Sequence, residues 1–282
     1  MVKVGVQCSK GIGASRGGAP EHTDNYLLGA DRQVSWCEGP LVHSEPADGK
    51  GVVMAVCDGF GVNGRLASSS TVRVLAKIYQ PVVPRNPPEA LLNFVSQAHD
   101  RLHQAAAKKG RVRMGASVTL AWVIDGKVHW LQVGHSRMYL YRRGQLIRLT
   151  ADHTRGEFAL RDGRTAPSDP DLLAQCFLYG SRDLGSDQSL RLELGLDVGT
   201  EYLEPGDRLL LCTDGLWRFV SKSVIMEILR NVDDPQSAAS RLVERAFVEG
   251  STDNVTAMVG RVDWVPPNTI TEIDRPVSYT FS

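Results

Sequence analysis

The stretch ASVTLAWVIDGKVHWLQVGHSRMYLYRRGQLIR, residues 116–148, sets the fold class. It holds three short runs rich in Val, Leu and aromatics, 116–124, 127–133 and 137–142, each bounded by turn residues and each the length of a strand. Asp125-Gly126 joins the first two as a tight hairpin, because both residue types accept the positive φ that such a turn needs. Arg143-Gly144 turns the chain after the third. Consecutive hairpins make an antiparallel series and argue against a doubly wound parallel sheet. Outside this stretch, 51–57, 208–213 and 254–262 read as further strands. The helices are marked by their caps. Asn86-Pro87-Pro88-Glu89 opens one that carries Leu91, Leu92, Val95, Ala98, Leu102 and Ala105 on one face to about 108. Ser221 caps a second, with Val224, Ile225, Ile228 and Leu229 inward. Asp234-Pro235 starts a third with Leu242, Val243 and Ala246, which stops near Gly250. One apolar stripe covers one sheet face, so the expected class is a layered α+β domain.

The totals narrow the function. The 282 residues carry 32 basic and 32 acidic side chains, which gives no footprint for nucleic acid or an anionic membrane. No apolar run approaches the length of a bilayer span, and MVKVGVQCSKGIG is too short and polar to read as a secretory signal. Five scattered cysteines without paired spacing suit a reduced, cytoplasmic protein. Residues 1–262 read as one catalytic domain with a flap-like, turn-rich insertion at about 153–185. A long loop is expected over 35–51, and residues 263–282 read as a C-terminal extension.

Acids recur at the ends of the apolar runs. GVVMAVC leads into Asp58-Gly59 and LLLCT into Asp214-Gly215, while Asp253-Asn254 and Asp24-Asn25 stand at the start of two others. One Asp-Gly after a strand is ordinarily a turn, since Asp bonds its own backbone and Gly accepts positive φ. Four acids gathered at one end of a sheet would instead need a cation, and oxygen-only ligands favour Mg²⁺ or Mn²⁺. Spacing leaves both readings open.

The order of motifs SRGGAPEHTDN, CDGFG, MGASVTL, VGHSRMYLYRRGQLIRLTADHT, LLLCTDGLW and STDNVTAMV resembles that of the metal-dependent protein phosphatases, the type 2C or PPM family of serine/threonine phosphatases, in its bacterial form. The resemblance spans about residues 10–262. It implies a four-layer sandwich, two antiparallel sheets flanked by helix pairs, with metals at one end. It further implies two Mn²⁺ or Mg²⁺ ions bridged by Asp58, with the Gly59 carbonyl, Asp214 and Asp253 as further ligands, activating water against a phosphoserine or phosphothreonine ester. Arg16 would clamp the phosphate. The implied partners are a phosphorylated protein and a serine/threonine kinase pathway. The alternative is a phosphatase-like binding or regulatory module with weak or no turnover.

The chain departs from that pattern at several places. Arg16 precedes Asp24 by eight positions, further than in the family. Thr23 stands where the family has Glu or Gln and would serve a second ion poorly unless Glu21 reached in. Asp24 is then expected to hold a metal-bound water rather than the ion. His135 replaces the Asp of Gly-Asp-Ser-Arg, an acid that helps to hold a third ion in relatives; it either occupies a strand-end turn or ligates. Phe60 follows Asp58-Gly59 where some relatives carry His. Asp152 and His153 are expected to fix a turn, and Trp217 to pack in the core.

Overall fold

The computed structural model describes residues 1–11, 21–30, 33–36, 51–61, 63–79, 86–108, 114–161, 163, 165, 177–179 and 197–266. Arg16, most of the 35–51 loop, the greater part of the 153–185 insertion and the chain after 266 lie outside them. In order, the elements are β1 (Val2–Ser9), β2 (Asp24–Ala30), β3 (Gln33–Trp36), β4 (Val52–Gly61), α1 (Gly64–Tyr79), α2 (Pro87–Ala107), β5 (Met114–Ile124), β6 (Lys127–Val133), β7 (Arg137–Arg142) and β8 (Gln145–Arg148). They continue with α3 (Arg155–Arg161), β9 (Phe177–Tyr179), β10 (Asp197–Tyr202), β11 (Arg208–Cys212), the single turn α4 (Asp214–Trp217), α5 (Lys222–Asn231), α6 (Pro235–Val248) and β12 (Val255–Val262).

Two antiparallel sheets lie face to face. One runs β1-β12-β11-β7-β8; the other runs β10-β6-β5-β4-β2-β3, with β9 added beside β5. Hairpins form where the turn chemistry placed them. Asp125 and Gly126 take φ of 49° and 71°, and Arg143 and Gly144 take 50° and 79°, the twist that joins β5 to β6 and β7 to β8. Helices α1 and α2 cover the larger sheet, and α5 and α6 the smaller. The caps hold: Ser221 Oγ accepts from the Val224 amide at 3.4 Å and Asp234 Oδ2 from the Ser237 amide at 2.8 Å.

The alternation of side chains explains why the strand runs are continuously apolar. In β4, Val53, Ala55 and Cys57 pack under α1 and α2, while Val52, Met54 and Val56 pack into the seam between the sheets. In β11, Leu209 and Leu211 enter the same seam, and Leu210 and Cys212 pack under α5 and α6. A strand buried on both faces shows no polar alternation. Cys8, Cys57 and Cys212 carry free thiols. Among the described residues no helix is long and apolar enough to cross a membrane.

Helix α1 departs from the sequence reading, which passed over 64–79. Its Ser68, Ser69, Ser70 and Thr71 are all buried. Ser68 Oγ and Thr71 Oγ1 return bonds to the carbonyls of Arg65 and Ala67 at 3.2 and 2.9 Å, so the hydroxyls are satisfied within the helix.

Candidate metal centre

The seam's alternation carries four carboxyl-bearing segments to one place. Val52, Met54 and Val56 face the seam, so Asp58, two positions on, faces its end. Tyr26 and Leu28 face it from β2, so Asp24 does too, directly opposite Asp58 in the β2–β4 register. From the other sheet, Met258 faces the seam, and so does Thr256. The two sheets are tied across the seam on one atom: Asp24 Oδ2 accepts from Thr213 Oγ1 at 2.8 Å and from Thr256 Oγ1 at 2.7 Å. Asp214 follows Thr213 immediately, and the Asp58, Asp214 and His135 ligand atoms all lie within 4.8 Å of one another.

β4 does not end on Asp58, as the apolar run suggested. It continues through Gly59 to Gly61, pairing Asp58 with Ser117 and Gly59 with Ala116. The Asp-Gly pair is therefore not a turn. Glycine at 59 answers a close approach: a Cβ there would sit 2.0 Å from the carbonyl oxygen of Gly64, the first residue of α1. The Gly59 amide also donates to the Thr23 carbonyl at 3.2 Å, which holds the β2 entrance against β4. Gly59→Ala is expected to push α1 from the centre, costing roughly 1–3 kcal/mol of stability by thermal or urea unfolding, with weakened Mn²⁺ binding by calorimetry. An equally tight second contact draws in Asp214: a Cβ on Gly215 would meet the Asn254 carbonyl at 2.1 Å. The backbone beside Asp214 thus lies against the segment that carries Asp253.

Crowding acids in this way has an electrostatic consequence. Burial pushes Asp24 up to about 7 against its two hydroxyl donors, with the charges of Asp214 and Asp253 adding to the shift. Burial likewise pushes Asp58 well above the carboxylate range, reinforced by Asp24, Asp214 and Asp253 and by a hydrogen bond shared with Asp24. Asp253 is raised by burial first and Asp214 second. Without a cation, burial first and the neighbouring charges second favour the protonated forms of these three groups. A divalent ion would replace those protons, and the donor set, carboxylates with one imidazole and a backbone carbonyl nearby, fits Mn²⁺ or Mg²⁺.

His135 sits in the turn between β6 and β7. Its carbonyl accepts from Trp217 Nε1 at 2.9 Å, and its Nε2 lies 3.7 Å from Asp214 Oδ2. Burial keeps its imidazole below the ordinary pKa, against the pull of Asp214. Trp217 is not just core packing: it anchors the His135 backbone, and the Arg137 guanidinium stacks on its ring, 3.4 Å from the centroid. Arg137 is clamped in turn by Asp152 at 2.9 and 2.6 Å, and the His153 amide donates to the Gly134 carbonyl at 2.8 Å. Asp152 and His153, expected to fix the turn that leads into the 153–185 insertion, thus brace the β6–β7 turn. Arg218 Nε donates to Asp214 Oδ2 at 3.0 Å.

Thr23 points elsewhere. Its hydroxyl accepts from Asn254 Nδ2 at 3.0 Å, the same amide that donates to the Glu21 carbonyl at 3.1 Å. Glu21 is exposed and outside the cluster. Asn254 Oδ1 also accepts from the Gly11 amide at 3.1 Å, so Asn254 organises the approach of three segments. Asp253 binds the Asn254 amide at 2.8 Å and acts on Asp24 and Asp58 through its charge, outside the tight trio. The residues the sequence reading passed over are Thr213, Thr256, Asn254, Arg218 and the site role of Trp217. The two threonines had a signal in LCTDG and DNVT, since Thr213 immediately precedes Asp214 and Thr256 stands three positions after Asp253 on a strand of known alternation.

Comparisons with known proteins place the fold in a family. The family profile described as "Protein phosphatase 2C" matches residues 41–246. The serine/threonine protein phosphatase PstP of Mycobacterium tuberculosis is 29% identical over 217 residues, which is 74% of this chain and 40% of PstP. The chain thus spans well under two thirds of that relative's length. A crystal structure of the PstP catalytic domain in complex with two manganese ions superposes with a TM-score of 0.71 at 22% identity, covering 93% of this chain and all of that one (100%). The PPM Ser-Thr phosphatase MsPP of Mycobacterium smegmatis, in complex with cacodylate, superposes with a TM-score of 0.69 at 26% identity, covering 92% and 97% of the two chains. With more than half its length matched by the family profile and its two-sheet sandwich shared with these structures, the chain belongs to the protein phosphatase 2C family.

Proposed function

We propose that the protein is a metal-dependent phosphatase that hydrolyses phosphoserine and phosphothreonine esters of proteins, within a serine/threonine kinase pathway of the cytoplasm. The observation that carries this reading is the meeting of Asp58, Asp214 and His135 donor atoms within 4.8 Å, with Asp24 and Asp253 close enough to add to the upward shift that burial gives Asp58. Asp58, the Gly59 carbonyl, Asp214 and Asp253 are the proposed holders of a pair of Mn²⁺ or Mg²⁺ ions. Such a pair, when bound, supplies an activated water and neutralises the phosphate oxygens. Asp24 orients Asp58 through their shared hydrogen bond, and is itself fixed by Thr213 and Thr256. Trp217 and the Arg137–Asp152 pair hold the His135 turn against the acids. Arg16 remains the proposed phosphate clamp, because a guanidinium matches two phosphate oxygens at once.

A second reading, a phosphatase-like binding module with weak turnover, is favoured by two contacts. The Thr23 hydroxyl is engaged by Asn254, and Arg218 occupies the same Asp214 oxygen that faces His135. One assay separates the readings. Phosphate release from a phosphothreonine peptide should require Mn²⁺ or Mg²⁺ and stop with EDTA. Failure to release phosphate at millimolar Mn²⁺ from a panel of phosphopeptides would leave the binding module.

A further inference from the structure

We propose that His135 is a direct nitrogen ligand of a divalent ion shared with Asp58 and Asp214, and that this imidazole biases the centre toward Mn²⁺ or Zn²⁺ and away from Mg²⁺. The inference rests on the metal reading above and adds to it a donor type foreign to an all-oxygen set.

Three observations carry it. The first is distance. His135 Nε2 stands 3.7 Å from Asp214 Oδ2, beyond a hydrogen bond. Two donors bound to one ion at about 2.0–2.2 Å stand roughly 3–4.3 Å apart, so this separation suits a shared ion. The 4.8 Å limit on the whole trio leaves only a small closure for the third donor.

The second observation is the state of the ring. His135 is 7% exposed, and its Nδ1 is buried with no hydrogen-bond partner among the described residues. His153, in the neighbouring turn, gives one nitrogen to the fold, its Nδ1 accepting from the Gly134 amide at 3.2 Å. His135 is anchored instead through its backbone, by the bond from Trp217 Nε1 to its carbonyl. The imidazole is thus positioned by a neighbour while its own nitrogens serve no packing purpose.

The third is what faces it. A ring nitrogen is grouped with one carboxylate oxygen each of Asp58 and Asp214, and a neutral imidazole that turns its lone pair toward such oxygens needs a cation between them. Imidazole suits borderline ions such as Zn²⁺, whereas Mg²⁺ prefers oxygen donors and keeps its waters. Exchanging a carboxylate for an imidazole also removes one negative charge from the ligand set, which costs Mg²⁺ most because its binding is the most electrostatic.

The test reads the ligand atom directly. Metal-free wild-type protein is loaded with Mn²⁺ from substoichiometric amounts to saturation and examined by electron spin-echo envelope modulation. Directly coordinated ¹⁴N should modulate the Mn²⁺ echo in the wild type, and the modulation should vanish in His135→Gln. Calorimetry gives the companion result: the ratio of Mn²⁺ to Mg²⁺ affinity should fall in His135→Asp by at least the roughly tenfold that losing even an outer partner of a ligand costs. Bound Mn²⁺ without ¹⁴N modulation at any loading, or modulation that survives in His135→Gln, overturns the assignment while leaving the metal reading intact. Failure of the wild type to bind Mn²⁺ at all overturns both.

Discussion

Asp58→Asn is expected to lower Mn²⁺-dependent phosphate release from a phosphothreonine peptide on the order of 10³-fold, because several kcal/mol of transition-state stabilisation would depend on the ions this carboxylate is proposed to hold. Asp58 is the residue on which the site converges. It lies opposite Asp24 in the sheet, its ligand oxygen is grouped with those of His135 and Asp214, and the charges of Asp24, Asp214 and Asp253 all act on it. Asparagine keeps the shape and a hydrogen-bonding oxygen, so β4 and its pairing to β5 should survive. The variant also removes one of the mutually repelling acids, and the melting temperature in EDTA should stay level or rise. Steady-state phosphate release and calorimetric Mn²⁺ binding check the outcome together. A variant that keeps more than a tenth of the wild-type rate, while folded and metal-dependent, would remove Asp58 from the centre and with it the proposed mechanism.

The central strands and the acids were legible because each follows from local rules, whereas β1, β8 and β10 were passed over. The hairpins at Asp125-Gly126 and Arg143-Gly144 need positive φ, and the sequence supplies residues that tolerate it. Asp58, Asp214, Asp24 and Asp253 stood out because a carboxylate next to Gly or Asn interrupts an otherwise apolar run. Helix α1 was not legible. Serines 68–70 and Thr71 have weak helix propensity and a polar character that conceals their burial, and only packing on the larger sheet makes the segment a helix. Trp217 was assigned to the core for a related reason. Its aromatic bulk predicts burial, but the reach of its indole N–H to the His135 carbonyl depends on bringing the turn after β6 beside the turn after β11, two segments 82 residues apart. Alternation could have been carried further. Positions 24, 26 and 28 and positions 256 and 258 face one seam, and that pattern alone turns both Asp24 and Thr256 toward it. What alternation cannot give is which strand of the other sheet lies across the seam, and so the Thr213–Asp24–Thr256 tie had to await the three-dimensional arrangement.

Burial of Asp24, against the pull of that tie, makes the metal-free protein sensitive to pH in a direction opposite to ordinary acid denaturation. Asp24 titrates at about 7 in the fold against 3.8 for the free side chain, so over that interval the native state binds the extra proton. Stability from this group is fully present below about pH 4 and is lost as pH rises through about 7, up to roughly 4 kcal/mol for a shift of this size. Asp58, raised by burial and by the same neighbours, acts in the same sense. In EDTA the wild-type melting temperature should therefore fall between pH 5 and 7.5 relative to Asp24→Asn, whose amide oxygen still accepts from Thr213 and Thr256 but carries no charge. Comparing the two proteins cancels the titration of distant groups, which contribute equally to both. Saturating Mn²⁺ should erase the difference in slope, since a dication takes the place of the protons and leaves Asp24 ionised at little cost. Melting curves at several pH values, with EDTA and with Mn²⁺, give the four slopes. Parallel wild-type and Asp24→Asn slopes in EDTA would mean that Asp24 ionises freely in the seam. The crowding of acids would then not be what the site holds in store for a cation.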